Sequence, residues 1–476
     1  MTGSNGAPSA PPASDVLILG AGISGMTTAW ALTRSRPDWK VSLVECASRP
    51  GGVMRSETVG GCVFEWGPNG FLDSEPRTLE LVRELGLQDR LQPASEHAAS
   101  RYLYCHGELI KLPVGPKEFL RSNLLSRRGR LRVLTEPFRG PGTGDEESVF
   151  GFLSRRFGPE AAAIGGDAIS AGIFAGDPRR LSVAAALPAL PAMEREHGSI
   201  FRAMSARRKL GRPRPTLTSF AGGMETLARR LSDRLADCLS LETRVKQITR
   251  NPSGYHLEGT RQGAPWRADT RRLVLTVPAS TARCLLEPLA PRLACLLGEI
   301  PIAGISVAGL VYDRAQIAHP LDGFGFLVPR GQGPRLLGCL WVGSIFPEHV
   351  SGNRIMLRAM IGGSRDPEGA LLSESRTVEL AQGELERILG ITGSPVATQV
   401  ARHPRGIPQY ELGHLDRVRA LDAETARMPG FHLGGNALRG VAVNDCIREG
   451  WALAERVIDD GAPGQPAAQV VESGAV

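Results

Sequence analysis

The apolar run Val16-Leu17-Ile18-Leu19 stops at a glycine-rich turn, Gly20 to Gly25, and gives way to small residues and Trp30. A second apolar run, Val41 to Val44, follows. Short continuous apolar runs separated by a helical stretch predict strand, helix, strand, with the strands buried on both faces as in a parallel sheet. Between residues 113 and 212 the strand pattern fades into short helical patterns rich in Leu, Ala and Arg. Strand character returns at Leu217 to Phe220, in the stretch around Val245, and in Leu273 to Val277, which ends at the turn Pro278-Ala279. Residues 290–427 alternate strand and turn signals, as a mostly antiparallel sheet would. From His432 the pattern returns to the first lobe and closes in a helix through Val457. The chain therefore predicts an α/β fold with a discontinuous first lobe over 14–92, 213–289 and 428–462. A second, α+β lobe covers 93–112 and 290–427, and a helical insertion covers 113–212. Residues 1–13 read as a disordered leader and 463–476 as a flexible tail.

The first turn carries chemistry. In Gly20-Ala21-Gly22-Ile23-Ser24-Gly25, Gly20 permits the tight turn, Gly22 lets backbone N–H groups approach a pyrophosphate, and Gly25 lets the helix pack on the sheet. Glu45 ends the next apolar run at the spacing of a carboxylate that accepts from a ribose hydroxyl, and an acid there disfavours a 2′-phosphate. A second glycine-rich segment lies near the other end of the chain, Gly435-Asn436 through Val443-Asn444-Asp445. A dinucleotide that uses both ends of a long chain points to FAD, whose isoalloxazine ring must be held far from its adenosine. Arg49, Gly51 and Gly52 then resemble the second glycine signature of amine-oxidase-like flavoproteins. Val53 stands where most of that family carries arginine, and Arg55 is the nearest substitute for a phosphate contact.

Composition narrows the classes. With 476 residues and 42% hydrophobic content the chain exceeds one small domain. The net charge of +7 is carried almost wholly by arginine, and no DNA-binding motif accompanies it, so nucleic acid is not an expected partner. Eight cysteines without C-x-x-C spacing or histidine partners argue against a metal site or a disulfide framework, and fit a cytosolic protein. No apolar run reaches the roughly 20 residues of a spanning helix, so any membrane contact is expected to be peripheral. Lys117 to Arg139 and Arg202 to Arg214 are strongly basic, with Phe119, Leu120, Leu124 and Leu125 at helical spacing in the first. Two readings stand: a basic amphipathic surface resting on anionic lipid, or a solvated helical face whose apolar side is core.

Across nearly its whole length, from about Val16 to Val457, the chain resembles the oxygen-dependent, FAD-containing protoporphyrinogen oxidases. The motifs that carry the likeness are Gly20 to Gly25, Phe64-Glu65-Trp66-Gly67-Pro68-Asn69, Arg101 to Tyr104, Gly172 to Pro178, Gly406 to His414 and Gly440 to Ile447. The resemblance implies a Rossmann-like FAD-binding domain in a two-domain flavoprotein of the p-cresol methylhydroxylase or amine-oxidase-like kind. It implies that Gly20, Ala21, Gly22, Ile23, Ser24 and Gly25 hold the pyrophosphate and Glu45 the ribose. Arg49, Gly52, Val53, Gly67, Pro68, Asn69 and Gly70 line the cofactor on the same ground. Val245 packs by the adenine, and Asn436, Val441, Ala442 and Val443 contact the flavin arm. For substrate it implies Arg101 at a propionate, the Gly172 carbonyl at pyrrole N–H groups, and Phe324, Leu327 and Met360 as apolar walls. Taken alone, Arg101 has a surface ion pair as its lesser reading, whereas each of the three apolar residues reads first as plain core.

The activity so implied is three successive two-electron oxidations of a porphyrinogen, with oxygen as acceptor and hydrogen peroxide released. The cofactor carries the chemistry, which is consistent with the absence of any nucleophile or paired-carboxylate signature. No general base stands out; His414 reads equally as structural. The competing readings are a coproporphyrinogen III oxidase of the same family, an amine oxidase or carotenoid desaturase, and a non-enzymatic escort protein on the same scaffold. A homodimer, a peripheral membrane contact and hand-over of product to a ferrochelatase are the partners that the resemblance brings with it.

Overall fold

The computed structural model describes residues 14–142, 144, 146–209, 211 and 214–460. The leader expected over 1–13 and the tail expected over 463–476 lie outside the described residues. The chain divides into two compact units. The first is Met1–Met54 with Leu227–Glu299 and Arg417–Val476; the second is Arg55–Thr226 with Ile300–Asp416.

The first unit is built around the strand Ser14–Leu19. It pairs in parallel with Val41–Val44 on one side and with the end of the long strand Ala264–Leu275 on the other. Phe431–Leu433 adds a further parallel pairing to Leu273–Leu275. The earlier half of Ala264–Leu275 instead pairs antiparallel with Gly254–Arg261, which pairs with Thr243–Asn251. Val16, Ile18, Leu273, Val274 and Leu275 are completely buried, which is why these strands read as unbroken apolar runs. The helices Ile23–Ser35 and Val443–Asp459 cross at Gly450, where a Cβ would lie 2.8 Å from the Thr27 Cβ. Thr28 Oγ1 donates to the Gly450 carbonyl at 3.1 Å and fixes the crossing.

The second unit holds a seven-stranded sheet in the order Ala397–Pro408, Ile302–Asp313, Arg354–Gly362, Leu336–Trp341, Gly325–Leu327, Tyr102–Cys105, Glu108–Lys111. All neighbours are antiparallel except Gly325–Leu327 beside Tyr102–Cys105. Alternation sorts its side chains by face. Tyr102, Phe326, Cys339, Leu357, Ala359 and Ile361 form a core with Leu385 and Leu389 of the helix Glu374–Leu389. Leu103, Leu327, Gly338 and Met360 belong to the alternate set.

The helical segment lies within this second unit and is organised by buried charge. Arg156 and Glu136 are both fully buried. Arg156 Nε donates to Glu136 at 2.8 Å, its Nη1 to Glu194 at 3.0 Å, and its remaining donors reach the carbonyls of Arg139, Gly140 and Gly198. Glu136 also accepts the Ile200 N–H at 2.9 Å, at the start of the helix Ile200–Lys209, where a carboxylate is favoured.

The first unit stops at Met54 rather than running to residue 92. The hairpin Ser56–Val59 and Cys62–Glu65 bridges to Val350, and the strand Leu217–Phe220 pairs with Phe71–Leu72 and Leu91–Pro93, all in the second unit.

Candidate cofactor and substrate site

In the first unit the two glycine turns stack on each other. Gly20 leaves its strand with φ +106°, and a Cβ on Gly25 would collide with the Gly20 carbonyl oxygen. Gly51 donates its N–H to the Ala21 carbonyl at 2.8 Å, and Gly52 lies against the Cα of Gly22. Arg49 holds the second turn through the carbonyls of Pro50, Gly52 and Met54. Glu45 is oriented by two backbone donors, Ala21 N–H and Ala47 N–H, both at 2.9 Å. Its own carbonyl accepts the Thr243 N–H at 2.8 Å, which brings the strand carrying Val245 to the same corner. Val53 is half exposed.

The closing glycine segment lies beside the first helix. The helix that it leads into, Val443–Asp459, packs on the start of Ile23–Ser35: a Cβ on Gly450 would sit 3.0 Å from the Ser24 carbonyl oxygen. Ala442 is the N-cap of the second helix and Gly22 of the first, and neither supplies a side-chain cap. Asp445 accepts from the Ala442 N–H at 3.3 Å and pairs with Arg448 at 2.6 Å, a structural role.

In the second unit the sheet places the apolar residues in one row. Leu327 pairs with Gly338, and Gly338 with Met360, across three neighbouring strands. The side chain of Leu327 also covers Gly172, where a Cβ would sit 3.2 Å from it. Gly172 belongs to the helix Asp167–Phe174, which follows a π-helical turn, Ala162–Gly166. Arg101 lies over the Phe324 ring at 4.7 Å, and the Phe324 N–H donates to the Ser100 carbonyl at 2.7 Å. No carboxylate pairs with Arg101 among the described residues. Arg330 and Arg365 pair with Asp167, Arg330 also with Asp177, and Arg335 with Asp366. The loop Gly67–Gly70 follows the buried Glu65, and neither amide atom of Asn69 is accessible or has a partner among the described residues. Arg55, the nearest substitute for a phosphate contact, pairs with Glu57 and lies 4.0 Å over the Trp66 ring. His414 is buried and stacked on Tyr410 at 4.0 Å, a packing arrangement.

A family model described as flavin containing amine oxidoreductase matches residues 23–458. The chain belongs to that family. Its relatives include protoporphyrinogen oxidase from Homo sapiens, 33% identical over 93% of this chain and 98% of the relative. The chloroplastic protoporphyrinogen oxidase of Nicotiana tabacum is 31% identical over 93% of this chain and 85% of the relative. Among solved structures, a candidate protoporphyrinogen oxidase from Exiguobacterium sp. 255-15 matches with TM-score 0.82 at 24% identity, covering 93% of this chain and 98% of that one. Reduced UDP-galactopyranose mutase matches with TM-score 0.71 at 15% identity over 94% of both chains. These structures share the amine-oxidase-like fold, the second of the two kinds expected from sequence.

The family's cofactor is FAD, and the first unit fits it. A side chain at Gly22 would meet nothing within 4 Å, so space lies open in front of an uncapped helix N-terminus. Such an end suits a negatively charged pyrophosphate.

The family's glycine signatures do not reveal the side chains that brace them. Thr276 Oγ1 donates to the carbonyls of Leu19 and Gly20, at 3.1 and 2.9 Å. Arg439 ties the closing glycine segment to Asp422 and Glu449. Arg358 and His403 hold the Trp66–Gly67 backbone. Ile169 and Ile173 flank Gly172 and are 41% and 47% exposed, a helical i, i+4 pair that sequence alone reads as core.

Proposed function

We propose that this flavoenzyme oxidises protoporphyrinogen IX to protoporphyrin IX with dioxygen, releasing hydrogen peroxide, in tetrapyrrole biosynthesis. The named relatives support the reaction, and the observation that carries the site reading is the guanidinium of Arg101 over the Phe324 ring, without a carboxylate partner among the described residues. A propionate would replace the missing counter-ion of Arg101, and a guanidinium fork suits a carboxylate. Phe324, Leu327 and Met360, with Ile169 and Ile173, would bound a flat ring. Gly172 and Gly338 leave room for the Leu327 side chain to lie between them. FAD, when bound, would supply two-electron redox chemistry with oxygen as the final acceptor. Gly20 to Gly25, Glu45, Arg49, Gly52, Val53, Val245, Asn436 and Val441 to Val443 hold it in this reading, with Gly67 to Gly70 lining the ring.

The pairing of Arg330, Arg335 and Arg365 with protein carboxylates favours a dicarboxylate over the tetracarboxylate coproporphyrinogen. Anaerobic mixing with each porphyrinogen tests this. Faster flavin bleaching by protoporphyrinogen is expected; faster bleaching by coproporphyrinogen overturns the substrate, and no bleaching by either overturns the function.

No helix among the described residues is long and apolar enough to cross a membrane. We propose peripheral contact with anionic lipid on the cytoplasmic face, through the helical segment. There Leu120, Leu131, Leu134, Met204 and the 85% exposed Phe138 stand among Lys117, Arg121, Arg127, Arg128, Arg202 and Lys209. Salt-sensitive sedimentation with phosphatidylglycerol vesicles, absent with phosphatidylcholine vesicles, is the expected result; equal sedimentation with both, or none with either, overturns it.

A further inference from the structure

In the first unit, the peptide that joins Gly20 to Ala21 is held at both of its polar ends. Its carbonyl oxygen accepts from Thr276 Oγ1 at 2.9 Å, and its N–H donates to Glu45 Oε2 at 2.9 Å. A trans peptide points these two groups in opposite directions, so the two anchors together set the tilt of its plane. Gly20 has φ +106°, and a glycine leaves the peptide beside it free to turn. The glycines permit this turn; its orientation is chosen by what holds the peptide.

The Thr276 hydroxyl makes that choice at the carbonyl end. It lies 3.1 Å from the Leu19 carbonyl oxygen and 2.9 Å from that of Gly20. A hydroxyl has one proton to give. Leu19 already receives the Thr276 backbone N–H at 2.9 Å, whereas no other donor reaches the Gly20 oxygen among the described residues. The proton therefore serves Gly20. A Cβ on Gly25 would sit 1.9 Å from that same oxygen and 2.5 Å from Thr276 Oγ1, so Thr276 and Gly25 form one socket for it. Gly20 is buried, and a buried acceptor deprived of its donor carries a desolvation penalty that movement relieves. Tilting the peptide would carry Gly22 with it, in front of which space lies open. Glu45 would keep its second anchor, the Ala47 N–H at 2.9 Å.

We propose that Thr276 is a positioning residue for the pyrophosphate of the cofactor: its hydroxyl locks the Gly20–Ala21 peptide, so that the N–H groups of the turn meet the phosphates in one preset arrangement. The proposal rests on the reading of Gly20 to Gly25 as the pyrophosphate turn. Donors already in place bind an anion without first having to be ordered. Thr276 also borders the closing glycine segment, where a Cβ on Gly435 would lie 3.5 Å from the Thr276 carbonyl oxygen. That contact is made by backbone, so removing the hydroxyl leaves it in place. The hydroxyl thus acts on the phosphates, apart from the ribose acid on one side and the flavin arm on the other.

The test uses ligands that carry these parts separately. Full-length protein is stripped of FAD, shown to take it up again, and titrated calorimetrically with FAD, ADP and adenosine. T276V keeps the shape of the side chain and removes the hydroxyl. It is expected to weaken FAD and ADP each about tenfold, the value of one hydrogen bond, and to leave adenosine within about twofold. T276S restores the hydroxyl and is expected to restore both affinities. Should T276V fail to fold, T276A carries the same comparison with T276S. Wild-type FAD and ADP affinity in the variant lacking the hydroxyl overturns the proposal. So does an equal loss for adenosine, which would mean a general loosening of the corner. A loss for FAD that spares ADP overturns it as well, because the effect would then run through Gly435. Wild-type protein that takes up no FAD would instead overturn the underlying reading of the turn.

Discussion

The two units build their candidate sites by different means. In the first unit the candidate site is made of backbone: glycine turns, an uncapped helix start at Gly22, and one acid held by N–H groups. In the second it is made of side chains that hold other side chains and carbonyls in place, Asp167 with Arg365, and Arg358 with the Trp66 loop. A dinucleotide phosphate asks for N–H groups, which every residue owns, so the requirement is for residues without side chains. A flat apolar ligand asks for a shaped wall, and a wall is shaped by whatever braces it from behind.

Four substitutions would break or sharpen this contrast. The largest effect is expected at Gly25. A Cβ there collides with backbone that cannot move, at a cost of about 3 kcal/mol or more, so G25A should bind FAD at least roughly a hundredfold more weakly. The flavin-to-protein absorbance ratio of purified protein reads it. In the second unit Asp167 is 3% exposed and accepts from Arg365 at 3.0 Å and from the Arg330 N–H at 2.6 Å. Removing one partner of a buried pair costs on the order of 3–5 kcal/mol. D167A should therefore lower the denaturation midpoint and raise KM through the loosened Gly172 helix, while FAD affinity stays unchanged.

The next effect is in pH dependence. Burial pushes the Glu65 carboxyl up to about 7 from an ordinary value of 4.5. Across that window the native state keeps a proton that the unfolded chain has released, so stability falls as pH rises through it. The span sets an upper bound of about 3 kcal/mol. E65Q should flatten urea midpoints measured from pH 4.5 to 8, and an unchanged slope would remove Glu65 as the cause. The smallest effect on the protein itself is expected at exposed Arg101. R101M should leave melting temperature and kcat alone and raise KM for the porphyrinogen about tenfold, the value of one charged hydrogen bond.

The same contrast governs what could be read from the chain. The turn Gly20 to Gly25, the acid Glu45 and the strands at Val16 and Leu273 were legible, because a missing side chain or an unbroken apolar run is a local signal. The apolar walls were reachable only through resemblance, since nothing about Leu327 or Met360 alone separates a wall from a core. The row that joins them exists only once three strands pair in register. Asp167, Arg358 and Arg365 were illegible for a further reason: the chain carries 56 basic residues, and sequence does not say which few are buried. Arg55 is near the glycine pair in sequence, and its partners Glu57 and Trp66 engage its charge and its face.

The π-helical turn Ala162–Gly166 just ahead of the Gly172 helix sets an angular phase. Such a turn accommodates one residue more than an α-turn, and each residue of a helix advances it by about 100°. Deleting Ala163 would let the segment relax to ordinary winding and swing Gly172 around its axis, bringing a neighbour with a side chain to face Leu327. The width of that single loop of helix thus acts as a dial for which residue packs on Leu327.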